Sequence, residues 1–334
     1  MSHYDPITLE ILWSRLIATA DEAAATLVRT AFSTIVYETH DYTCVLLDTQ
    51  GDSLAQSSKS APSFIGTLPA TIKHFLRWFP PETLRPGDVL LTNDPWMGTG
   101  HTPDMNVATP IFLGSRLVGF AGGVSHVVDI GGIPYSASAR DVYEEGLRIP
   151  PCKLYSEGKR TKLLFDLFEY NTRAPEQVIG DIEALVTANA MGAQRLLDLM
   201  DEAGIEDLAP LATAIQSASE QAMRKALGRI PHGDYHHELW MDGFEEPLRI
   251  RAGLLERGLP ELPHVPLLPR VEACARPVRM IDGVAQRSIT ARQNTLEPAT
   301  VGGMHLEAHS VLARLLAEPA LLLEHGGARV HGAP

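Results

Sequence analysis

The sequence predicts an α+β fold, a mixed and largely antiparallel sheet with hairpins plus a helical region. Three observations carry that expectation. A long helical period opens the chain, short apolar runs separated by turn residues fill most of the first 135 residues, and helical periodicity returns from Pro175 to Arg229. Short connections between strands argue against a purely parallel, doubly wound sheet, because parallel neighbours need a long crossover.

Asp5 is placed to cap the first helix, with Pro6 at its first position. Apolar residues follow at Leu9, Leu12, Trp13, Leu16, Ala20, Ala23, Leu27 and Ala31, in steps of three and four that give one buried face. The second half of Ser33–Asp48 reads as a strand, and the turn through Gly51-Asp52 leads to a hairpin partner at Ser53–Gln56. Leu68, Ile72, Phe75, Leu76 and Phe79 give a short helix. The strand Val89-Leu90-Leu91 runs directly into an Asn93-Asp94-Pro95 loop. Two further strands, about 106–112 and 117–124, meet at Gly114-Ser115. From Pro175 the pattern predicts a long helix to about Met200, with a break near Gly192 as the alternative, and a second helix over 205–229. These either pack on one face of the sheet, as a helical hairpin, or form a separate lobe. Residues 232–244 alternate loosely, as a strand would.

The domain boundaries expected from this pattern are 1–174 for an N-terminal α+β domain, 175–250 for the helical region and a returning strand, and 251–334 for an atypical tail. The nine Phe, eight Tyr and four Trp all lie at or before Phe244, and no lysine follows Lys225. A quarter of the chain therefore lacks the aromatic packing that domain cores normally use. Two readings of this tail stand open: an out-of-frame or degraded coding segment, or an Ala- and Leu-rich helical tail for which Leu306–Leu323 gives some support.

A formal charge of -13 argues against a nucleic-acid binder, which needs a basic patch. The cysteines Cys44, Cys152 and Cys274 show no CxxC spacing, so neither a disulfide framework nor a thiolate zinc site is indicated. Asp5, Glu10 and Arg15 interrupt the early apolar residues, and no apolar run is long enough to span a bilayer. The chain reads as reduced and cytoplasmic, with no membrane contact.

Chemistry concentrates in two HxxD motifs, His101-Thr-Pro-Asp104 and His126-Val-Val-Asp129, which flank the expected hairpin. Antiparallel pairing would set the start of one strand beside the end of the other, so His101, Asp104, His126 and Asp129 would converge at one end of the sheet. Imidazole and carboxylate together suit a divalent metal: Mn, Zn or Fe. Each residue has a plainer alternative: His101 as a loop cap, His126 as a core histidine, Asp129 as an Asx turn before Gly131-Gly132. Glu38 and Asp41 are candidates for a fourth ligand and a general base, against a solvated loop. Asp94 has turn chemistry as its competing explanation, and Cys44 reads as core because no base adjoins it. Arg148 with Glu144 and Glu145 reads as a structural ion pair. His236-His237 would point to opposite sheet faces, which makes the doublet weak metal evidence.

Several stretches resemble the B-type (alpha) subunits of hydantoinase and 5-oxoprolinase enzymes, a family that includes the alpha subunits of acetone and acetophenone carboxylases. They are Asp5-Pro-Ile-Thr-Leu-Glu-Ile-Leu-Trp13, Glu38-Thr-His-Asp41-Tyr-Thr-Cys44, Gly87-Asp-Val-Leu-Leu-Thr-Asn93-Asp94-Pro95, Gly100-His101-Thr-Pro-Asp104, His126-Val-Val-Asp129-Ile-Gly-Gly132, Glu145-Gly-Leu-Arg-Ile-Pro150-Pro151 and Asn171-Thr-Arg-Ala-Pro175. Together they cover roughly residues 4–250 in order and spacing. The resemblance implies a truncated representative of a longer family.

It also implies a division of labour. An ATP-using A-type subunit activates a carbonyl or enol, and the B-type subunit completes hydrolysis or carboxylation. The absence of a GxxxxGK[ST] loop here fits ATP being held by that partner. By the same resemblance His101, Asp104 and His126 are the metal ligands, with Asp129 behind them. The implied function is that of a subunit of an ATP-dependent cyclic amide hydrolase completing ring opening at the metal. The alternatives are the alpha subunit of a ketone carboxylase and a truncated, non-catalytic assembly subunit. The expected partners are the A-type subunit, in a hetero-oligomer, and a small cyclic amide or ketone. Exposed apolar surface is expected where further family sequence would pack.

Overall fold

In the computed structural model the described residues are 4–133, 139–231, 233–241 and 248–256. In chain order they form α1 (Pro6–Thr30), α2 (Thr34–Tyr37), β1 (Tyr42–Leu47), β2 (Ser53–Gln56), α3 (Thr67–Trp78), β3 (Val89–Thr92), β4 (Asp104–Leu113) and β5 (Arg116–His126). These are followed by α4 (Val142–Glu145), β6 (Cys152–Ser156), β7 (Lys159–Arg160), α5 (Lys162–Asn171), α6 (Pro175–Glu202), α7 (Ala209–Leu227), β8 (Gly233–Met241) and β9 (Leu248–Glu256). The chain divides into two compact units, and the break falls within α7: the first unit runs to Ser217 and the second begins at Ala218. Among the described residues no helix is long and apolar enough to cross a membrane.

The first unit is built on a seven-stranded sheet in the order β2-β1-β5-β4-β3-β6-β7, and every pair in it is antiparallel. The fold is α+β. Side chains alternate across this sheet, and both faces are covered. On one face Tyr42, Cys44, Met105 and Val107 meet Leu27 of α1 and Ile182, Leu185 and Ala188 of α6. Further along that face Leu46, Ile111 and Ala121 pack with Leu12 and Leu16 of α1. On the other, Val45, Leu47, Ala108, Phe120 and Val124 meet Leu68, Ile72 and Phe75 of α3. Covering both faces explains why β1 is buried along its whole length instead of alternating between core and solvent. Leu16, Leu27, Leu68 and Phe75 are fully buried, each contributing about 1.5–3 kcal/mol relative to exposure.

The α1 start follows the expected chemistry, with the Asp5 carboxylate accepting from the backbone amides of Ile7 and Thr8. Helix α6 is continuous over 28 residues, with no break at Gly192. Its glycines mark close packing: a Cβ at Gly192 would touch Ala23 of α1, and one at Gly180 would overlap the Phe32 ring. The packed alternative for this helix is the one realised, since α6 shares its core with the sheet.

Strands β6 and β7 and helix α5 lie in a stretch, Cys152–Asn171, for which the sequence offered no assignment. The β6 strand pairs with β3, and Phe165 and Phe168 of α5 enter the core. Short elements like these are specified by tertiary neighbours more than by their own periodicity. The second unit contains the rest of α7 and the β8–β9 hairpin, in which Gly233 faces Glu256 and Met241 faces Leu248. His236 and His237 sit on adjacent positions of β8, opposite Gly253 and Ala252. Apart from the β9 residues up to Glu256, the tail expected at 251–334 lies outside the described residues.

Candidate metal centre

The site is a product of strand register. Asp104 opens β4 and His126 closes β5, and the two are paired directly across the ladder. Asp104, Asn106 and Ala108 share one face of β4, as Val124 and His126 share one face of β5, and Ala108 and Val124 place that face on the α3 side. Asp41 stands at the start of β1, where the His126 amide donates to its carbonyl at 3.2 Å. Three strands therefore deliver Asp41, Asp104 and His126 to one edge of one layer.

His101 arrives from the loop between β3 and β4, which is fastened at several points. Asn93 Nδ2 donates to the Thr102 carbonyl at 2.7 Å and to Leu147 at 2.8 Å, while its Oδ1 accepts from Ile149 at 2.6 Å. The Thr102 amide and hydroxyl both donate to Glu145 Oε2, at 3.0 and 3.2 Å. Gly98 lies so close to Asn106 that a Cβ there would come within 2.5 Å of Nδ2. Only glycine lets the loop run this close to β4.

Asp104 lies between the two imidazoles with its side chain fully buried. His126 Nδ1 stands 3.2 Å from Oδ1, and His101 Nε2 stands 2.9 Å from Oδ2. The two rings are 5.0 Å apart, centroid to centroid. The contact with Oδ2 is close but lacks the alignment of a hydrogen bond, so this buried carboxylate oxygen has no aligned donor. Each of the three residues offers a donor atom within 4.8 Å of the other two. A buried oxygen in need of a cation, flanked by two imidazole nitrogens, is the donor set of a divalent transition-metal site, and the residues present fit one.

The electrostatics favour a charged pair. Burial alone would raise the Asp104 carboxyl, but hydrogen bonding and attraction from His101 and His126 outweigh it and hold the group well below the usual carboxylate range. Burial pulls the His101 imidazole down, and the Asp104 carboxylate, with Glu145 and Asp41, overcomes this and raises it. Asp41 Oδ2 stands 3.8 Å from His126 Nδ1. Its carboxyl is raised, first by burial and then by repulsion from Asp104, against the pull of the two histidines.

The remaining expected residues fall around this cluster in different roles. Asp129 Oδ1 accepts from the Gly131 amide at 3.1 Å and from Arg173 Nη1 at 2.7 Å, and Oδ2 accepts from the Arg173 backbone amide. This carboxylate ties the loop after β5 to the segment that leads into α6. Glu38 is exposed at the end of α2. Asp94 Oδ1 makes an Asx turn with the Trp96 amide, and its other oxygen lies 3.7 Å from Arg148 Nε. Arg148 is thus paired with Asp94 and stacked near Trp96 and Tyr143, while Glu144 pairs with Arg140 and Glu145 with Thr102. The expected pairing of Arg148 with those glutamates is replaced, because their carboxylates are already committed. Sequence reasoning missed Asn93, Thr102 and Glu145 as supports, although Asn93 directly after a buried strand was a usable signal. Cys44 is fully buried and its thiol is pushed up to about 12, as a core position implies.

An α+β protein whose antiparallel sheet carries a His–Asp–His cluster at one edge defines the class. Comparison with known proteins supplies the family: a sequence profile described as hydantoinase B/oxoprolinase matches residues 5–257. The chain belongs to the hydantoinase B/oxoprolinase family. It is 34% identical over 246 residues to the B component of a putative D-/L-hydantoinase of Pseudomonas sp. (strain NS671), covering 72% of this chain and 42% of that protein. It is 32% identical over 238 residues to the beta chain of the caprolactamase of Pseudomonas jessenii, covering 70% and 41%. The crystal structure of the ATP-dependent caprolactamase from Pseudomonas jessenii superposes with a TM-score of 0.69 at 31% identity, over 77% of this chain and 45% of that one. A nucleotide-free acetone carboxylase structure shares the fold, with a TM-score of 0.66 at 22% identity over 75% and 35%. The chain thus spans less than half the length of these relatives.

Proposed function

We propose that this chain is the B-type subunit of an ATP-dependent cyclic amide hydrolase and completes ring opening at a divalent metal held by His101, Asp104 and His126. The observation that carries this reading is the fully buried Asp104 carboxylate set between two imidazoles, with one oxygen left without an aligned donor. The relatives named as a hydantoinase B component, a caprolactamase beta chain and a 5-oxoprolinase agree with it. ATP belongs on an A-type partner subunit in this scheme, as the subunit names of the relatives suggest.

When bound, the ion supplies Lewis acidity, polarising a carbonyl or phosphoryl oxygen or lowering the pKa of a water molecule. The chain's own contribution is to hold the donors rigidly on paired strands and a fastened loop. Asp41, half-buried beside His126 and with a raised pKa, is suited to take a proton at Oδ2 from an attacking water and to return it to the leaving nitrogen. Asp129 supports the site at a distance, by fixing the loop after β5. The test is co-expression with an A-type subunit, followed by assays of ATP-dependent hydrolysis of hydantoins and 5-oxoproline. Wild type should turn over at least one of them and Asp41→Asn should lose most of that turnover, whereas full turnover by Asp104→Asn would refute the metal role.

A further inference from the structure

A cleft of about 400 Å³ opens beside the cluster, lined by Thr39, His40, Asp41, Lys59, Ser60, Ala61 and Pro62. Asp41 forms one wall, and its carboxylate is the one beside His126. Lys59 stands in another wall, exposed and without an acidic partner among the described residues.

The turn that carries Lys59 is bolted down on both sides. Before it, the Ser58 amide and hydroxyl donate to Asp21 of α1, at 2.6 and 2.9 Å. After it, Ser60 Oγ lies 2.7 Å from Thr43 Oγ1 and 2.6 Å from Ser57 Oγ, and the Ala61 amide donates to Tyr42 at 2.9 Å. These bonds anchor the turn to β1, the strand that begins beside Asp41. His40, on the opposite side, is held at φ +55°, a conformation that non-glycine residues avoid. It is fixed there by the Tyr42 amide donating to its carbonyl at 2.9 Å. An ammonium on a rigid turn and an imidazole on a strained one thus border the same cleft, next to the metal ligands.

We infer that this cleft is an anion subsite, in which Lys59 with His40 receives the carboxylate or phosphoryl oxygens of the molecule whose carbonyl is presented to His101, Asp104 and His126. The inference rests on the metal-centre reading for the place of the reacting carbonyl. Its substrate-class consequence is that a lactam bearing an anionic group is preferred to a neutral one. Fixed cations recognise such oxygens by charge-assisted hydrogen bonds, and a rigid frame lowers the ordering cost of doing so.

The test is calorimetric titration of the full-length, Mn²⁺-loaded chain with L-5-oxoproline, with 2-pyrrolidone, which has the same ring without the carboxylate, and with inorganic phosphate. The first should bind at least about tenfold more tightly than the second, the margin expected of one charge-assisted contact. Lys59→Met should erase that margin while Mn²⁺ stoichiometry and 2-pyrrolidone binding stay unchanged, and Lys59→Arg should restore it. Lys59-dependent binding of phosphate without a margin between the lactams would assign the subsite to a phosphoryl group. Equal binding of all three probes by wild type and Lys59→Met, or no binding at all, would overturn the inference. If the chain takes up no Mn²⁺, the metal reading fails by itself, and the same Lys59 dependence in metal-free protein decides the subsite.

Discussion

Asp104 and His126 face each other as partners in the β4–β5 ladder, so a backbone register holds His126 Nδ1 3.2 Å from the Asp104 carboxylate. A slip of one residue would turn Asp104 to the opposite face of the sheet. The extended core of this ladder, from Val107 and Ala108 to Val124, therefore stabilises the geometry of the centre as well as the fold.

Metal affinity should rise with pH. The His101 imidazole titrates above its ordinary value because of Asp104, and a ligand nitrogen must lose its proton before it can bind a metal. Mn²⁺ titrations from pH 5.5 to 8.5 should show affinity increasing throughout the range in which His101 deprotonates, with proton release detected in buffers of different ionisation enthalpy. Affinity independent of pH would contradict this.

Without metal the same pair predicts the opposite trend in stability. A raised His101 pKa contributes stability that is complete below its unfolded value of about 6.5 and is lost as pH rises through the folded value. The lowered Asp104 pKa contributes stability present above about 3.9 and lost only in strong acid. Thermal melts of metal-free wild type and His101→Asn should therefore converge as pH rises from 6 to 9, whereas a constant gap would show that no such linkage exists.

Asp129 should behave as a structural residue. Its carboxylate satisfies two backbone amides and the Arg173 guanidinium, so Asp129→Ala leaves buried donors unpaired and should cost about 2–4 kcal/mol. Urea unfolding should register that loss while metal stoichiometry stays at the wild-type level. Loss of metal without loss of stability would return Asp129 to the site.

The cysteines of the first unit should be inert. Both the Cys44 and the Cys152 thiols are pushed up to about 12 by burial. In a Cys274→Ser background, thiol reagents at pH 8 should label neither in native protein and both in urea. Rapid native labelling of Cys44 would mean that the β1 region is open.

Much of this centre was legible because it follows local rules. The Asp5 cap, the α1 period, the Ser53–Gln56 strand and the hairpin between the HxxD motifs are each written in contiguous residues, and the hairpin alone brings Asp104 to His126. The partner of Asp129 was not legible, since Arg173 lies 44 positions away and arrives only through packing of the segment before α6. The same holds for Glu145 beneath Thr102 and for the pairing of β6 with β3. Such long-range choices depend on which carboxylates and edges the completed core leaves available.

The central claim is that His101, Asp104 and His126 hold one divalent ion. Its most direct test is metal stoichiometry by elemental analysis, after stripping and reloading with Mn²⁺, of full-length wild type, His101→Ala and Asp104→Asn, with circular dichroism confirming that each is folded. The account predicts one ion per wild-type chain and near-zero content in both variants. An empty wild type, or folded variants that retain the ion, would contradict it.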